Sequence, residues 1–178
     1  EKQHHPQWGD KAFLQKASFL ARLGSGSAAR SIEGPLMVWG QSNAFQHSSD
    51  QYAVVPHVDW HPVFNHFQDT ILIVDKGQKK VSSTLGHQLM EGHPFAKQRF
   101  EQAHHNLSQL NTALTTGDLD QFIDLTEAEA LSLHAMMMTS HPRFVLMQPN
   151  TLAIINKLWD YRSQTAFPLF FPPDARAN

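Results

Sequence analysis

The chain has 178 residues, of which 41% are hydrophobic and 17% charged, with a net charge of −2 and no cysteine. This composition is typical of one globular domain or parts of two, and it excludes disulfides and thiolate metal sites. The small net charge argues against nucleic-acid or membrane-surface partners, and no apolar run reaches the roughly 20 residues of a membrane-spanning helix. The absence of cysteine fits a cytoplasmic location.

The first part of the chain alternates one helix with short apolar runs. Hydrophobic periodicity predicts a helix over residues 11–23, with Asp10 as its cap. The small residues Gly24–Ser27 then interrupt it. Runs of apolar and β-branched residues predict strands at 35–39, 52–55 and 70–75.

The second part is dominated by helical patterns. A short helix is predicted from Ser82 or Ser83 to Met90, and longer ones at 94–114, 118–138 and 151–164. Two further apolar runs predict strands at 143–147 and 167–171. Strands come first and helices dominate later, which predicts an α+β fold with antiparallel sheets packed against helices.

The segment "GSGSAAR" (24–30) has the composition of an anion-binding turn. Backbone N–H groups at the start of a helical turn favour an anion, and the hydroxyls of Ser25 and Ser27 add donors beside Gly26. Arg30 adds a planar guanidinium that suits a carboxylate or phosphate. A flexible polar loop is the alternative interpretation.

A second polar segment, "KGQKKVSST" (76–84), follows a predicted strand directly. Its Lys79 and Lys80 lie close in sequence to Ser82 and Ser83, a combination that suits a phosphate-bearing ligand at the end of a strand. A solvated turn with a capping serine explains the same residues.

The histidines and the last aspartate are weaker candidates. His57, Asp59, His61 and His66 lie within ten residues, but nearby prolines disfavour the regular helix that would align them around a metal, so no metal ligand is assigned. Asp174 follows a predicted strand, where a carboxylate can act as a base.

Taken in order, these segments resemble mevalonate diphosphate decarboxylases of the GHMP kinase superfamily. "ARLGSGSAARSIEG" is similar to the family's Ala-Arg-x-Gly-Ser-Gly-Ser-Ala-x-Arg-Ser segment. The likeness continues through "DWHP", "ILIVD", "KKVSSTLGHQLM" and "FIDLTEAEALSLHAMMMTSHPRFVLM". The resemblance implies the superfamily's two-domain fold, with residues 1–67 as the end of the N-terminal domain and 68–178 as an incomplete C-terminal domain.

The resemblance also implies a reaction and roles for individual residues. The expected reaction is the ATP-dependent decarboxylation of mevalonate 5-diphosphate to isopentenyl diphosphate, with ATP and Mg²⁺ as cofactors, by a homodimer. Arg30 is expected to hold the substrate carboxylate and Asp174 to orient or deprotonate the hydroxyl. Ser83 is expected to be a third catalytic residue. The remaining substrate-binding residues implied are Ser25, Gly26, Ser27, Lys79, Lys80 and Ser82.

Two departures from the family pattern limit these expectations. The last segment reads "PPDARAN", with Arg176 where the family has glycine and Ala177 where it has proline. The family's Gly/Ser-rich ATP loop has no counterpart in these 178 residues, so the chain alone is expected to be inactive. A decarboxylase of another phosphorylated mevalonate, a GHMP small-molecule kinase and a non-catalytic anion-binding fragment are the alternatives.

Overall fold

The computed structural model describes residues 9–68, 70–74 and 88–172. The chain divides into two compact units, Glu1–Asp59 and Trp60–Asn178. This division falls between residues 59 and 60, whereas the sequence predicts a domain boundary between 67 and 68. The assignment of these segments to two superfamily domains stays a prediction.

Helix α1 (Asp10–Gly24) opens the first unit. Gly9 is its N-cap, so the prediction that Asp10 caps the helix is wrong by one residue, and Asp10 lies in the first turn. The hydrophobic periodicity that predicts the helix does not produce a buried face up to its end, because Leu23 is 62% exposed. The buried residue of α1 is instead Ser18, which is 1% exposed.

The Ser18 hydroxyl joins α1 to two other backbone segments. Its Oγ donates a hydrogen bond to the Ala29 carbonyl at 2.9 Å and accepts one from the Ala53 N–H, also at 2.9 Å. Both backbone groups are thereby satisfied in the interior, where an unpaired polar group is costly. A polar residue therefore occupies the inward face of α1.

The predicted strands 35–39 and 52–55 are reduced to one antiparallel bridge. Val38 and Val54 exchange both backbone hydrogen bonds, at 2.8 and 2.9 Å. Gly34 and Gly40 flank the first segment with φ of +57° and +107°, so the chain leaves the extended conformation on either side of it. Pairing is antiparallel as predicted, but the length of both strands was predicted wrongly.

Trp39 covers Gly26, the first residue of a 3₁₀ helix at Gly26–Ser31. A Cβ at Gly26 would lie 2.7 Å from Cη2 of Trp39. The indole is held from the other side, because its Nε1 donates to the Asp50 carbonyl at 3.2 Å. The absence of a side chain at Gly26 is therefore what allows this close contact.

The second unit is helical. A 3₁₀ helix at Pro62–His66 precedes α2 (Ala96–Thr116), α3 (Leu119–Thr139) and α4 (Pro149–Thr165). The three α-helices lie within two residues of their predicted bounds. None of the helices in the described ranges is long and apolar enough to cross a bilayer.

The junction between α2 and α3 shows why the helix bounds are readable from sequence. Gly117 ends α2 in the left-handed conformation, with φ +79°, and the side chain of Asp118 accepts a hydrogen bond from the Gln121 N–H at 2.9 Å to cap α3. The ring of His61 packs against Gly117, and the His61 N–H donates to the Leu114 carbonyl at 2.7 Å. Residues after Asp59 are thereby tied to the second unit.

Three predicted strands are not strands in the described part of the chain. The structure describes residues 70–74 of the strand predicted at 70–75, and they do not form a strand. Residues 143–147 do not form one either. Ile71 is 84% exposed. Residues 167–171 begin with a tight turn, in which the Leu169 N–H donates to the Phe167 carbonyl at 2.8 Å. An apolar extended run becomes a strand only beside a pairing partner, and no described residue pairs with these three runs as a strand. The predicted sheets packed against helices are therefore not found among the described residues.

The core of the second unit connects its helices to residues 167–171. Phe171 is buried with Ala130 of α3 and Ile155 of α4. A second group is aromatic, with ring centroids 5.1–6.1 Å apart, and it comprises Phe64, Phe67, Phe122 and Phe170. Apolar burial of this kind is the main stabilising contribution in the unit.

A partly buried ion pair connects α3 to α4. The carboxylate of Glu127 accepts hydrogen bonds from Nε1 of Trp159 at 2.8 Å and from the Arg162 guanidinium at 2.7 and 2.9 Å. Arg162 also donates to the Leu169 carbonyl at 2.7 Å. The hydrogen bonds to Glu127 raise the pKa of Arg162 above its ordinary value, so the guanidinium stays charged.

Replacement of Gly26 tests the contact with Trp39. We expect Gly26→Ala to lower the free energy of unfolding by about 1–2 kcal/mol, because the added methyl group displaces the indole. Gly24→Ala is the matched control: nothing lies within 4 Å of a Cβ there, and alanine favours the helix, so its effect should stay within about 0.5 kcal/mol. Urea unfolding of both variants measures the difference, and equal stabilities would contradict the contact.

Replacement of Glu127 tests the ion pair. We expect Glu127→Gln to cost about 3 kcal/mol, because it leaves the Arg162 guanidinium without its counter-charge in a partly buried position. Glu101→Gln on the exposed face of α2 makes the same chemical change in solvent and should stay within about 0.5 kcal/mol. A Glu127→Gln variant as stable as Glu101→Gln in thermal unfolding would show that the pair is dispensable.

Candidate functional site

The predicted anion-binding residues of the first unit lie on one short segment. Ser25 follows α1, and the 3₁₀ helix that starts at Gly26 places Ser27 and Arg30 within its six residues. The hydroxyl oxygens of Ser25 and Ser27 are 3.3 Å apart. The Ser25 N–H already donates to the Ala21 carbonyl at 3.0 Å, so an anion here would be met by hydroxyls, the guanidinium and the following N–H groups.

Arg30 is exposed and has no hydrogen bond or ion pair within the described residues. The guanidinium of Arg22 in α1, by contrast, is hydrogen-bonded within the first unit. Nε of Arg22 donates to the Gln51 carbonyl at 3.0 Å, and its NH2 group lies 3.3 Å from the Gln51 side-chain oxygen. Of these two arginines, Arg30 is therefore the one with a guanidinium available to an external anion.

An open cleft of about 580 Å³ lies beside Arg30. One wall belongs to the 3₁₀ helix, and the other is apolar and precedes Val38. The lining residues are Ser27, Ala28, Arg30, Ser31, Pro35, Leu36 and Met37. A cleft with one cationic, hydroxyl-bearing wall and one apolar wall suits a small anionic molecule with a hydrocarbon part.

The remaining predicted site residues lie outside the described residues. These are Lys79, Lys80, Ser82, Ser83 and Asp174. Their roles, and the expectation that Asp174 lies within about 10 Å of Arg30 because both contact one small substrate, stay predictions.

A second cleft, of about 470 Å³, lies in the second unit. Residues Leu72–Val74 line one side, and Asn150, Ala153, Ile154 and Lys157 of α4 line the other. It contains no predicted site residue, and the polar segment 76–84 begins two residues after Val74. The cleft is mainly apolar and offers one cation, Lys157.

The histidine-rich region has structural contacts of its own. Nδ1 of His61 accepts a hydrogen bond from the Val63 N–H at 3.2 Å and so caps the 3₁₀ helix that follows. His57 lies edge-on to His47, with ring centroids 6.4 Å apart. Within residues 9–68, 70–74 and 88–172, no three His, Asp or Glu side chains form a group that could hold a metal ion.

Sequence reasoning missed Ser18 and Trp39, the two residues that support the anion-binding segment. A signal existed for Ser18, because it lies four residues after Leu14 and three before Ala21 on a helix whose inward face was expected to be apolar. A serine in that position needs a hydrogen-bond partner in the interior. No local pattern links Trp39 to Gly26, which lies 13 residues earlier.

Comparison with known proteins covers most of the chain. Phosphomevalonate decarboxylase of Haloferax volcanii is 29% identical over 92% of this chain, and diphosphomevalonate decarboxylase of Ganoderma lucidum is 30% identical over 81% of it. The chain spans 48% and 36% of the lengths of these two relatives, so it corresponds to about half or less of each.

The fold agrees with solved structures of the same group. A structure of the mevalonate diphosphate decarboxylase from Enterococcus faecalis, described as showing mevalonate diphosphate mediated ATP binding, is 26% identical and superposes with a TM-score of 0.71. The match covers 92% of this chain and 48% of that one.

A protein-family match extends over residues 70–168, more than half of the chain. The matched family is described as the mevalonate 5-diphosphate decarboxylase C-terminal domain. The chain belongs to this family.

Proposed function

We propose that this chain is part of an ATP-dependent decarboxylase that converts mevalonate 5-diphosphate to isopentenyl diphosphate. The observation that carries the proposal is the guanidinium of Arg30, which has no partner among the described residues, beside Ser27 on the wall of the first-unit cleft. The diphosphomevalonate decarboxylase of Ganoderma lucidum, 30% identical, supports the choice of substrate.

Arg30 supplies what the reaction requires of a carboxylate-binding group. The substrate carboxylate has to stay ionised, because carbon dioxide leaves only from the anion. A guanidinium remains charged at any physiological pH and binds both carboxylate oxygens in one plane, so it fixes the direction of the bond that breaks. Ser25 and Ser27 place hydroxyl donors beside it.

The phosphorylated end of the substrate is assigned to the second polar segment. We propose that Lys79, Lys80, Ser82 and Ser83 lie near the diphosphate or the transferring phosphoryl group. Asp174 is proposed to orient or deprotonate the tertiary hydroxyl. Once that hydroxyl is phosphorylated, phosphate leaves with the electron pair of its C–O bond, and the electrons of the breaking C–C bond form the alkene as carbon dioxide departs.

ATP and Mg²⁺ are proposed as cofactors from the resemblance. Among the described residues no three His, Asp or Glu side chains form a metal-binding group, and these 178 residues contain no glycine-rich phosphate loop, so no residue of this chain is assigned to either cofactor. ATP supplies the phosphoryl group when bound, and the combination of AMPPCP and magnesium in a solved MDDEF complex with MVAPP supports both cofactors for the family. The homodimer and the cytoplasmic location are further proposals from the resemblance.

A decarboxylase of mevalonate 5-phosphate is the second candidate. The observation that favours it is the similarity to the phosphomevalonate decarboxylase of Haloferax volcanii, which extends over 92% of the chain. The two substrates share the carboxylate and the tertiary hydroxyl, so Arg30 and Asp174 have the same proposed roles in both reactions. They differ in one phosphoryl group.

A substrate comparison tests the proposed function. The full-length gene product is incubated with ATP, Mg²⁺ and either mevalonate 5-diphosphate or mevalonate 5-phosphate, and carbon dioxide release is measured. We expect kcat/KM to be higher with the diphosphate. Preference for the monophosphate would support the second candidate, and no release with either substrate would refute both.

Replacement of Arg30 tests its role in the same assay. We expect Arg30→Ala to lower kcat/KM by about 100-fold or more, since loss of a charge-assisted, two-point contact costs about 2–3 kcal/mol. Arg30→Lys should recover little of this, because an ammonium lacks the planar pair of donors. Arg22→Ala, which removes an arginine already bonded to Gln51, is the control and should retain kcat/KM within about threefold. Wild-type kinetics in Arg30→Ala would refute carboxylate binding by this residue.

A further inference from the structure

The buried hydroxyl of Ser18 is hydrogen-bonded to two backbone segments, and each of them is connected to one wall of the first-unit cleft. On one side, Oγ of Ser18 donates to the carbonyl of Ala29, the residue directly before Arg30. Ala29 is itself fully buried. A change at this hydrogen bond therefore acts on the residue adjoining Arg30 in the chain.

On the other side, the same Oγ accepts from the Ala53 N–H. The next residue, Val54, exchanges both backbone hydrogen bonds with Val38. Val38 directly follows the apolar wall at residues 35–37. The Ser18 hydroxyl is thus connected to this wall in two steps, first by its hydrogen bond to Ala53 and then by the pairing of Val54 with Val38.

We propose that Ser18 is a positioning residue that sets the placement of Arg30 relative to the apolar wall of the cleft; this rests on the proposed function. Ser18 is 1% exposed and does not line the cleft, so it acts on the substrate through Arg30. Trp39, packed on Gly26, is a second contact between the same two segments.

The Ser18 hydroxyl satisfies one buried carbonyl and one buried N–H. Without it, the carbonyl of Ala29 and the N–H of Ala53 are left unpaired in the interior, and each has to find water or another partner. Either outcome moves the backbone on one side of the cleft. A guanidinium displaced by about 1 Å no longer meets both oxygens of a carboxylate in good geometry, which weakens binding by about tenfold or more.

The test is a double-mutant cycle on substrate binding. Binding of mevalonate 5-diphosphate to the full-length protein is measured by calorimetry for the wild type, Ser18→Ala, Arg30→Ala and the double variant. We expect Ser18→Ala to raise Kd about tenfold. We expect the double variant to bind within about twofold of Arg30→Ala alone, since Ser18 acts through Arg30.

Ser140→Ala is the matched control for loss of a buried serine hydroxyl. Ser140 lies in the second unit, is 2% exposed, and its Oγ hydrogen-bonds to the Met137 and Pro142 carbonyls at 2.8 and 2.7 Å. This variant should be destabilised in thermal unfolding to an extent similar to Ser18→Ala yet keep the wild-type Kd. A raised Kd in Ser140→Ala equal to that of Ser18→Ala would overturn the proposal, as it would indicate a general effect of destabilisation.

Hydrogen exchange at the Ala53 amide gives a readout that needs no substrate. Its exchange should be about tenfold or more faster in Ser18→Ala and unchanged in Ser140→Ala. Unchanged exchange, or fully additive losses of binding in the cycle, would overturn the proposal. If the wild type binds mevalonate 5-diphosphate without releasing carbon dioxide, the proposed function is refuted, and the double-mutant cycle can still be measured. If the wild type does not bind it, both the proposed function and the role of Ser18 are refuted.

Discussion

The arrangement of the first unit depends on a single buried hydroxyl. Ser18 faces inward from α1 and satisfies a carbonyl and an N–H from two segments that are 24 residues apart in the chain, at Ala29 and Ala53. A hydrophobic residue in its place would leave both groups unpaired. The glycine-rich break after α1 is therefore a folded segment with a specific anchor, and it carries an arginine whose guanidinium has no partner in the part of the chain that the structure describes.

In the second unit, an ion pair holds separate segments together, where the first unit uses a buried hydroxyl. Glu127 receives three hydrogen bonds from α4, and Arg162 extends the network to the Leu169 carbonyl. Together with burial of Phe171, this fixes the last described segment of the chain on the helices. The pairing of this carboxylate and guanidinium fixes the position of α3 relative to α4, whereas burial of Ala130, Ile155 and Phe171 contributes most of the stabilisation.

Helices α1 to α4 were predictable from the sequence, and the strands among the described residues were not; most of the short helix predicted up to Met90 lies outside the described residues. The junction at Gly117 and Asp118 shows why: a left-handed glycine and a capping aspartate act within a few residues, so local pattern suffices. Strand formation at 70–74 or 143–147 depends on a neighbouring strand, which local pattern cannot supply. The predicted anion-binding segment rests on Ser25, Ser27 and Arg30, which are close in sequence and lie together on one segment of the structure, and its role stays a prediction. Its support by Ser18 and Trp39 depends on tertiary contacts and was missed.

A crystal structure with bound substrate tests the proposed carboxylate-binding role of Arg30 most directly. The full-length protein crystallised with mevalonate 5-diphosphate should show both carboxylate oxygens bonded to the Arg30 guanidinium, at N···O distances of about 2.7–2.9 Å. Ser25 or Ser27 should lie within hydrogen-bond distance of the same molecule. A substrate bound elsewhere, with Arg30 still directed into solvent, would contradict the account.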